Sequence, residues 1–119
     1  MITVGTDIIK ISRIEKLLKE KGDMFLNKVF TDREIKYCNS HQNPAQHFSG
    51  KFSAKESVKK ALLSKNITDF ISLKDIEISN NQDKSPYVLI HKTFKDDLVC
   101  HISISHDGDY AVAFALIEK

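Results

Sequence analysis

The segment FSGKFSAKESVKKAL, residues 48–62, places one acid, Glu56, among four lysines. A second acid, Asp7, follows a short alternating segment near the N-terminus. Mg²⁺ in proteins prefers one or two carboxylates, several waters and substrate phosphate oxygens as ligands. A strand-end Asp that faces a helical Glu would supply this carboxylate pair, and the lysines would neutralise the remaining phosphate charge. The lysines are Lys51, Lys55, Lys59 and Lys60.

Each of these residues also has an ordinary structural interpretation. Glu56 and Lys60 are four residues apart with the acid first, which is the favoured orientation for an ion pair on a helix surface. Asp7 can cap the turn that follows a strand. The other three lysines recur every four residues and therefore line one side of a helix, which is typical of a solvated face and equally suits a bound polyphosphate. Spacing alone favours the structural interpretations.

The five histidines are not arranged in a metal-binding motif such as H-E-x-x-H. In HISISH, residues 101–106, His101 shares one strand face with two serines, while Ile102 and Ile104 share the other. This polar row either borders a ligand or faces water. The sequence contains no G-x-S-x-G turn, P-loop or G-x-G-x-x-G segment, which argues against a serine nucleophile and against the common nucleotide folds.

Local signals predict helices in the first half of the chain. Ser12 and Glu15 have the spacing of a capping box for a helix over about residues 13–21. Thr31 and Glu34 repeat this spacing and predict a second, shorter helix.

A third helix is predicted over about residues 45–64, after Pro44. Its apolar residues fall on two sides, which indicates that the helix is largely buried, and Gly50 permits close approach of a backbone or ligand. The alternating residues 2–9 predict an opening strand with Asp7 near its end.

The second half of the chain has the pattern of antiparallel strands. SLKDIEIS and PYVLIHK flank the turn-rich NNQDKSP, and HISIS and YAVAFALIE flank HDGD, so two hairpins are expected. TFKDDL, between the hairpins, is expected to form a short helix. Early helices and late strands predict an α+β fold in which an antiparallel sheet packs on the long helix. The 119 residues fit one domain, 1–119.

Composition restricts the function classes. The net charge of +2, from 18 basic and 16 acidic residues, argues against a protein wrapped around nucleic acid. Cys38 and Cys100 lack a C-x-x-C spacing, so reduced thiols and a cytoplasmic location are expected. The N-terminus lacks the pattern of a signal peptide, and no segment approaches the ~20 apolar residues that a membrane span needs, so no membrane partner is expected.

Together, VGTDIIKISRI, KVFTDREIKYC, FSGKFSAKESVKKAL, DIEI and HISISHDGDYAVAFALIE resemble holo-[acyl-carrier-protein] synthase, the short type of 4′-phosphopantetheinyl transferase. The resemblance runs from about residue 2 to residue 118. It implies the 4′-phosphopantetheinyl transferase fold and transfer of the phosphopantetheine arm of coenzyme A to a serine of apo acyl carrier protein, a step of fatty acid biosynthesis that releases adenosine 3′,5′-bisphosphate. It further implies a homotrimer with active sites at subunit boundaries.

The resemblance also assigns the catalytic and metal-binding residues. It implies that Asp7 and Glu56 hold Mg²⁺ and that Lys60 lies near the diphosphate or the attacking hydroxyl. Charge that accumulates on the phosphate oxygens would be neutralised by the metal and by Lys60. The acceptor of the serine proton is either a metal-bound water or Glu56 acting through such a water.

Further residues match the family's substrate contacts. His101 matches a histidine that lies close to the nucleotide, either of its own subunit or of a neighbouring one. Lys51 stands where the family commonly has a phosphate-binding arginine, which keeps the charge and loses the bidentate geometry. Arg13 and Lys16, on the basic side of the first helix, match the surface that receives the acidic carrier protein. Which of Lys51, Lys55 and Lys59 touches phosphate stays open.

Two other functions use the same residues. A Mg²⁺-dependent diphosphate hydrolase would need the same acids and lysines. An RNA-binding module would use the lysine row without chemistry, but the low net charge and the lack of an RNP-like aromatic pattern count against it.

Overall fold

The computed structural model describes all residues, Met1–Lys119. The helices and strands confirm the predicted α+β class. They follow in the order β1 (Ile2–Lys10), α1 (Ile11–Lys21), α2 (Asp23–Val29), α3 (Asp32–Asn39), α4 (Pro44–Leu63), β2 (Ile76–Asn80), β3 (Pro86–Ile90), β4 (Val99–Asp107) and β5 (Tyr110–Glu118), with short 3₁₀ turns at Ser64–Asn66 and Leu73–Asp75. None of the helices combines the length and apolar character needed to cross a membrane.

The strands form two separate antiparallel sheets. The larger has the order β1-β5-β4, and its register pairs Ile2 with Glu118 and Lys10 with Tyr110. The hairpin β2-β3 forms the second sheet. The sequence predicted both hairpins but not their separation. A cleft of about 340 Å³ lies between β3 and β4, lined in part by Phe94 and Cys100.

The segment TFKDDL does not form the expected helix and is irregular. Phe94 and Leu98 pack against the core, and Asp96 forms an ion pair with Lys119. Six residues are too few to offset the cost of helix nucleation, so these tertiary contacts determine the conformation.

The two predicted capping boxes behave differently. At α3, Thr31 Oγ1 accepts from the Glu34 N–H at 3.3 Å, and Glu34 Oε1 accepts from the Thr31 N–H at 2.8 Å, as expected. The box at Ser12 does not form, because α1 begins directly after β1 and its first N–H, that of Ile11, donates to the Asp109 carbonyl at 2.7 Å. The short helix α2 has no side-chain cap and was not predicted.

Helix α4 packs against both sheets and against α3. Pro44 occupies its first turn, where a missing N–H costs nothing. Gly5 of β1 lies so close to α4 that a Cβ there would be 2.0 Å from the Ser57 carbonyl oxygen. Ser53 Oγ, one turn earlier on α4, donates to the Asp7 carbonyl at 2.8 Å. The close contact of β1 and α4 therefore brings Asp7, which lies within β1 three residues before its last residue, Lys10, onto the α4 surface.

The core consists of two apolar clusters that share α4. One lies under the three-stranded sheet and includes Val58, Leu62, Ile78 and Ile117. The other joins α1, α2, α3 and the start of α4 and includes Ile14, Phe30, Cys38 and Phe48. Apolar residues on several sides of α4 are thereby buried, as its sequence predicted.

Candidate active site

Asp7 and Lys60 form an ion pair across the contact between β1 and α4. Lys60 Nζ lies 3.1 Å from Asp7 Oδ1 and donates to the Thr6 carbonyl at 3.0 Å. The side chain of Asp7 is 16% exposed and that of Lys60 is 53% exposed. Lys60 therefore pairs with the strand acid, and the alternative helix-surface pair between Glu56 and Lys60 does not form.

Glu56 lies on the same face of α4 as the residues that contact β1. It follows Ser53 by three residues and precedes Lys60 by four, and both of these side chains donate hydrogen bonds to Asp7. Glu56 is half-buried and belongs to none of the ion pairs of the chain. The predicted pair of acids thus lies on facing elements, with Lys60 beside them.

The donor set at this place fits Mg²⁺. Asp7 and Glu56 are hard oxygen donors, and no group of three or more His, Cys, Asp or Glu side chains surrounds a common point. Two carboxylates without a complete protein cage suit a cation that keeps water and takes phosphate oxygens from a substrate. We call Asp7, Glu56 and Lys60 the acid–lysine site.

The lysine row on α4 does not form a solvated face, which corrects that expectation. Lys55 is fully buried and forms an ion pair and a short hydrogen bond with Glu34 Oε1. Burial lowers the pKa of Lys55, and the neighbouring Glu34 opposes that shift. Because α3 covers this side of α4, Lys55 is not available to a phosphate, whereas Lys59 is half-buried.

Lys51 is 4% exposed and reaches the edge of β2. Its Nζ donates to the Ile78 carbonyl at 2.7 Å and to Asn80 Oδ1 at 2.9 Å, and it lies 4.4 Å from the centre of the Tyr37 ring. Burial lowers the pKa of Lys51, while nearby Cys38, Glu34 and Glu77 oppose the shift. Two of the three N–H groups of Lys51 are thus occupied, and one stays available to a ligand.

A cleft of about 250 Å³ opens beside Lys51, between the start of α4, the β2-β3 hairpin and the end of β4. We call it the basic cleft, because its ionisable groups are basic except for one tyrosine and no carboxylate lines it. Such a lining favours an anionic ligand. The lining residues are Tyr37, His47, Gly50, Lys51, Asn80, Lys84, Pro86, Ile104 and His106.

Gly50 gives His106 its place in the basic cleft. A Cβ at Gly50 would lie 2.8 Å from His106 Nε2 and 3.2 Å from Ile104 Cγ2. The ring therefore packs directly on the α4 backbone. The sequence predicted a close approach at Gly50 without identifying the histidine that makes it.

His101 lies outside the basic cleft. It is exposed, and its Nε2 is 3.2 Å from Glu118 Oε2 on the neighbouring strand β5. Side chains alternate along a strand, so His101 is on the opposite face of β4 from Ile104 and His106. Strict alternation through HISISH would have placed His106 on the inner face. The sequence motifs did not identify four of the residues that line the basic cleft, which are His106, His47, Lys84 and Asn80.

The pattern that defines the 4′-phosphopantetheinyl transferase superfamily matches residues 3–115. The chain belongs to this superfamily. This confirms the resemblance that its motifs indicated.

Relatives in the superfamily match almost the whole chain. The holo-[acyl-carrier-protein] synthase of Thermodesulfovibrio yellowstonii is 46% identical over 114 residues, covering 96% of both chains. That of Wolbachia pipientis is 41% identical over 118 residues, covering 97% of this chain and 92% of the relative.

Solved structures in the superfamily share the fold. The holo-(acyl-carrier-protein) synthase of Bacillus anthracis, in complex with CoA (3′,5′-ADP), has a TM-score of 0.79 at 29% identity and covers 97% of this chain and 94% of its own. The Helicobacter pylori enzyme, in complex with coenzyme A, has a TM-score of 0.80 at 29% identity and covers 97% of this chain and 99% of its own.

The basic residues of α1 in this transferase fold point outward. Ile14 is fully buried, whereas Arg13 and Lys16 are exposed. The predicted basic surface of α1 is therefore accessible to a partner.

Proposed function

We propose that this protein is a holo-[acyl-carrier-protein] synthase, in which residues 1–119 form one transferase domain. It transfers the 4′-phosphopantetheine moiety of coenzyme A to a serine of apo acyl carrier protein and releases adenosine 3′,5′-bisphosphate. The observation that carries the proposal is the acid–lysine site on a chain 46% identical to a synthase of that name. The similar solved structures in complex with coenzyme A support coenzyme A as the donor of the phosphopantetheine group.

Asp7 and Glu56 are the residues that would hold Mg²⁺. When bound, the ion supplies positive charge to the phosphate oxygens of the donor. Lys60 adds a second positive charge beside Asp7, and its 53% exposed side chain is open to a substrate. Glu56 is half-buried and free of ion pairs, which supports a role in accepting the proton of the carrier serine through a water molecule.

The basic cleft suits the phosphorylated nucleotide end of coenzyme A. Lys51 has one N–H group free, and Lys84 and His106 line the same space. His101 lies on the outer face of the sheet, so a nucleotide contact by His101 requires the site of a neighbouring subunit.

The outer face of the three-stranded sheet supports a homotrimer with active sites at subunit boundaries. Alternate residues of β1 and β5, together with Val99 at the start of β4, present exposed apolar side chains on this one face. A contiguous apolar patch of this kind marks an interaction surface. Its members include Ile2, Val4, Ile8, Val99, Tyr110, Val112 and Phe114.

The exposed Arg13 and Lys16 on α1 support docking of an acidic carrier protein. Charges of this kind mainly accelerate association and make it depend on salt. The free thiols Cys38 and Cys100 are in keeping with a cytoplasmic reaction.

The test is to incubate the protein with coenzyme A, Mg²⁺ and an apo carrier protein and to measure the intact mass of the carrier. The expected result is a mass increase of one phosphopantetheine group. Free phosphopantetheine with an unmodified carrier would instead identify a diphosphate hydrolase. Tight retention of RNA without binding of coenzyme A would identify a binding module.

A further inference from the structure

Two histidine rings stack at the basic cleft. The rings of His41 and His47 have centroids 4.0 Å apart with 34° between their planes. Tyr37 packs on both, at 4.5 Å from His41 and 6.0 Å from His47. His47 and Tyr37 line the cleft, whereas His41 lies outside its lining and packs against both rings.

The two stacked rings differ in their hydrogen bonds. His41 Nδ1 lies 2.7 Å from the Tyr37 carbonyl oxygen, which can only accept, so Nδ1 donates and the ring is held in place. The histidine rings with hydrogen bonds inside the chain are those of His41, His91 and His101. The rings of His47 and His106, which line the cleft, therefore have no hydrogen-bond partner inside the chain.

The groups around His47 disfavour its positive charge. Tyr37 of α3 and His41 of the following loop face it. Lys51 of α4, His106 of β4 and Lys84 of the hairpin line the same cleft. Burial lowers the pKa of His47, and His41, His106 and Lys51 lower it further. No carboxylate in the cleft opposes this, so the ligand-free cleft favours the neutral form of His47.

A phosphate in the cleft reverses this balance. An opposite charge within about 4–6 Å favours the protonated form of a histidine. A phosphate monoester is close to a dianion at neutral pH and accepts hydrogen bonds from several donors at once. Protonated His47 then offers a charge-assisted N–H donor where the neutral ring offered an uncharged one.

We infer that His47 determines specificity for donors that carry a phosphate monoester, by binding that group in its imidazolium form, so that donor binding takes up a proton from solvent. The inference rests on the proposed function, because it assigns the monoester on the ribose of coenzyme A to the basic cleft. The diphosphate belongs at the acid–lysine site, whose three side chains do not line the cleft.

Calorimetric titration of the full chain with coenzyme A, without carrier protein, tests the inference. Repeating it at neutral pH in two buffers of different ionisation enthalpy gives the number of protons taken up. The expected result is net uptake with coenzyme A and little with dephospho-coenzyme A, which keeps the diphosphate and lacks the monoester. Equal uptake with both donors would overturn the inference.

The variant His47→Phe keeps an aromatic ring against His41 and Tyr37 but cannot be protonated. We expect it to lose most of the proton uptake and to bind coenzyme A about tenfold more weakly in slightly acidic buffer, because it loses a hydrogen bond between charged groups. Its affinity for dephospho-coenzyme A should not change. The control His91→Gln alters a histidine remote from the cleft that pairs with Glu77.

Unchanged proton uptake in His47→Phe would contradict the role of His47. The carrier mass assay is independent of this readout. A protein that takes up protons with coenzyme A but does not modify the carrier would refute the proposed transfer and leave the His47 inference standing.

Discussion

Lys55 and Glu34 form an ion pair that is closed off from solvent between α4 and α3. The Glu34 carboxylate also accepts the N–H of Thr31 and, at 2.8 Å, the N–H of Ile78 on β2. One side chain thus joins α3, α4 and the hairpin. Lys51 holds the carbonyl of the same residue, Ile78, so two buried charges fix the hairpin that forms one wall of the basic cleft.

Removing the Glu34 carboxylate should destabilise the protein strongly. Glu34→Ala leaves Lys55 buried without a counter-charge and Ile78 without an acceptor, and we expect a loss of about 3–5 kcal/mol in the free energy of unfolding. Urea denaturation measures this. The control Thr31→Ala removes only the cap hydroxyl and should cost about 1 kcal/mol. The double variant Glu34→Leu, Lys55→Met should lose less stability than Glu34→Ala, because it leaves no unpaired charge. Equal losses of stability in Glu34→Ala and Thr31→Ala would refute this account.

Truncation of either proposed metal ligand should abolish transfer while the fold persists. Asp7→Ala and Glu56→Ala each remove an oxygen donor from the acid–lysine site, and the carrier should stay at its apo mass in the presence of Mg²⁺. Far-UV circular dichroism checks the fold. Asp96→Ala is the matched control, because this exposed acid pairs with Lys119 away from the site. Normal transfer by either variant would show that the metal assignment is wrong.

A charge on the outer sheet face should dissociate the proposed homotrimer. Phe114 is 46% exposed at the middle of β5, and Phe114→Lys would place an unpaired cation inside a subunit interface. Native mass spectrometry should give three chains for the unmodified protein and one for the variant. Phe70→Lys, at an exposed phenylalanine outside the sheet, should leave the assembly intact. A monomeric unmodified protein would refute the trimer.

Acid should destabilise the ligand-free protein in part through His47. The pKa of His47 is lowered by burial and by neighbouring positive groups, so the unfolded chain binds its proton more readily than the folded one. Stability therefore rises with pH as the ordinary histidine value, about 6.5, is approached from below, and this contribution is lost on acidification.

Urea denaturation of the ligand-free protein across mildly acidic and neutral pH measures this effect. His47→Phe should show a smaller loss of stability on acidification, whereas His91→Gln should not reduce it. If His47→Phe does not change how steeply the free energy of unfolding depends on pH, His47 is protonated as easily in the folded state as in the unfolded one.

Features that depend on neighbours in the chain were predictable from sequence. The capping box of Thr31 and Glu34 needs only a three-residue spacing, and α4 follows from its apolar periodicity and Pro44. The family motifs led to Asp7, Glu56 and Lys60, which the fold places on facing elements. The two hairpins were predictable for the same reason, because the alternation of apolar and polar residues along each strand is local.

Features that depend on the packing of distant segments were decided by the tertiary structure. Periodicity places Lys51 and Lys55 on one side of a helix, but only the position of α3 and the hairpin makes that side buried. Lys60 had Glu56 one turn away and pairs instead with Asp7, because Gly5 lets β1 lie directly on α4. His47 and His106 are far apart in the sequence and line the same cleft only in the folded chain. Local interactions thus set the elements, while long-range contacts choose which side chains share a site, since no local pattern encodes those contacts.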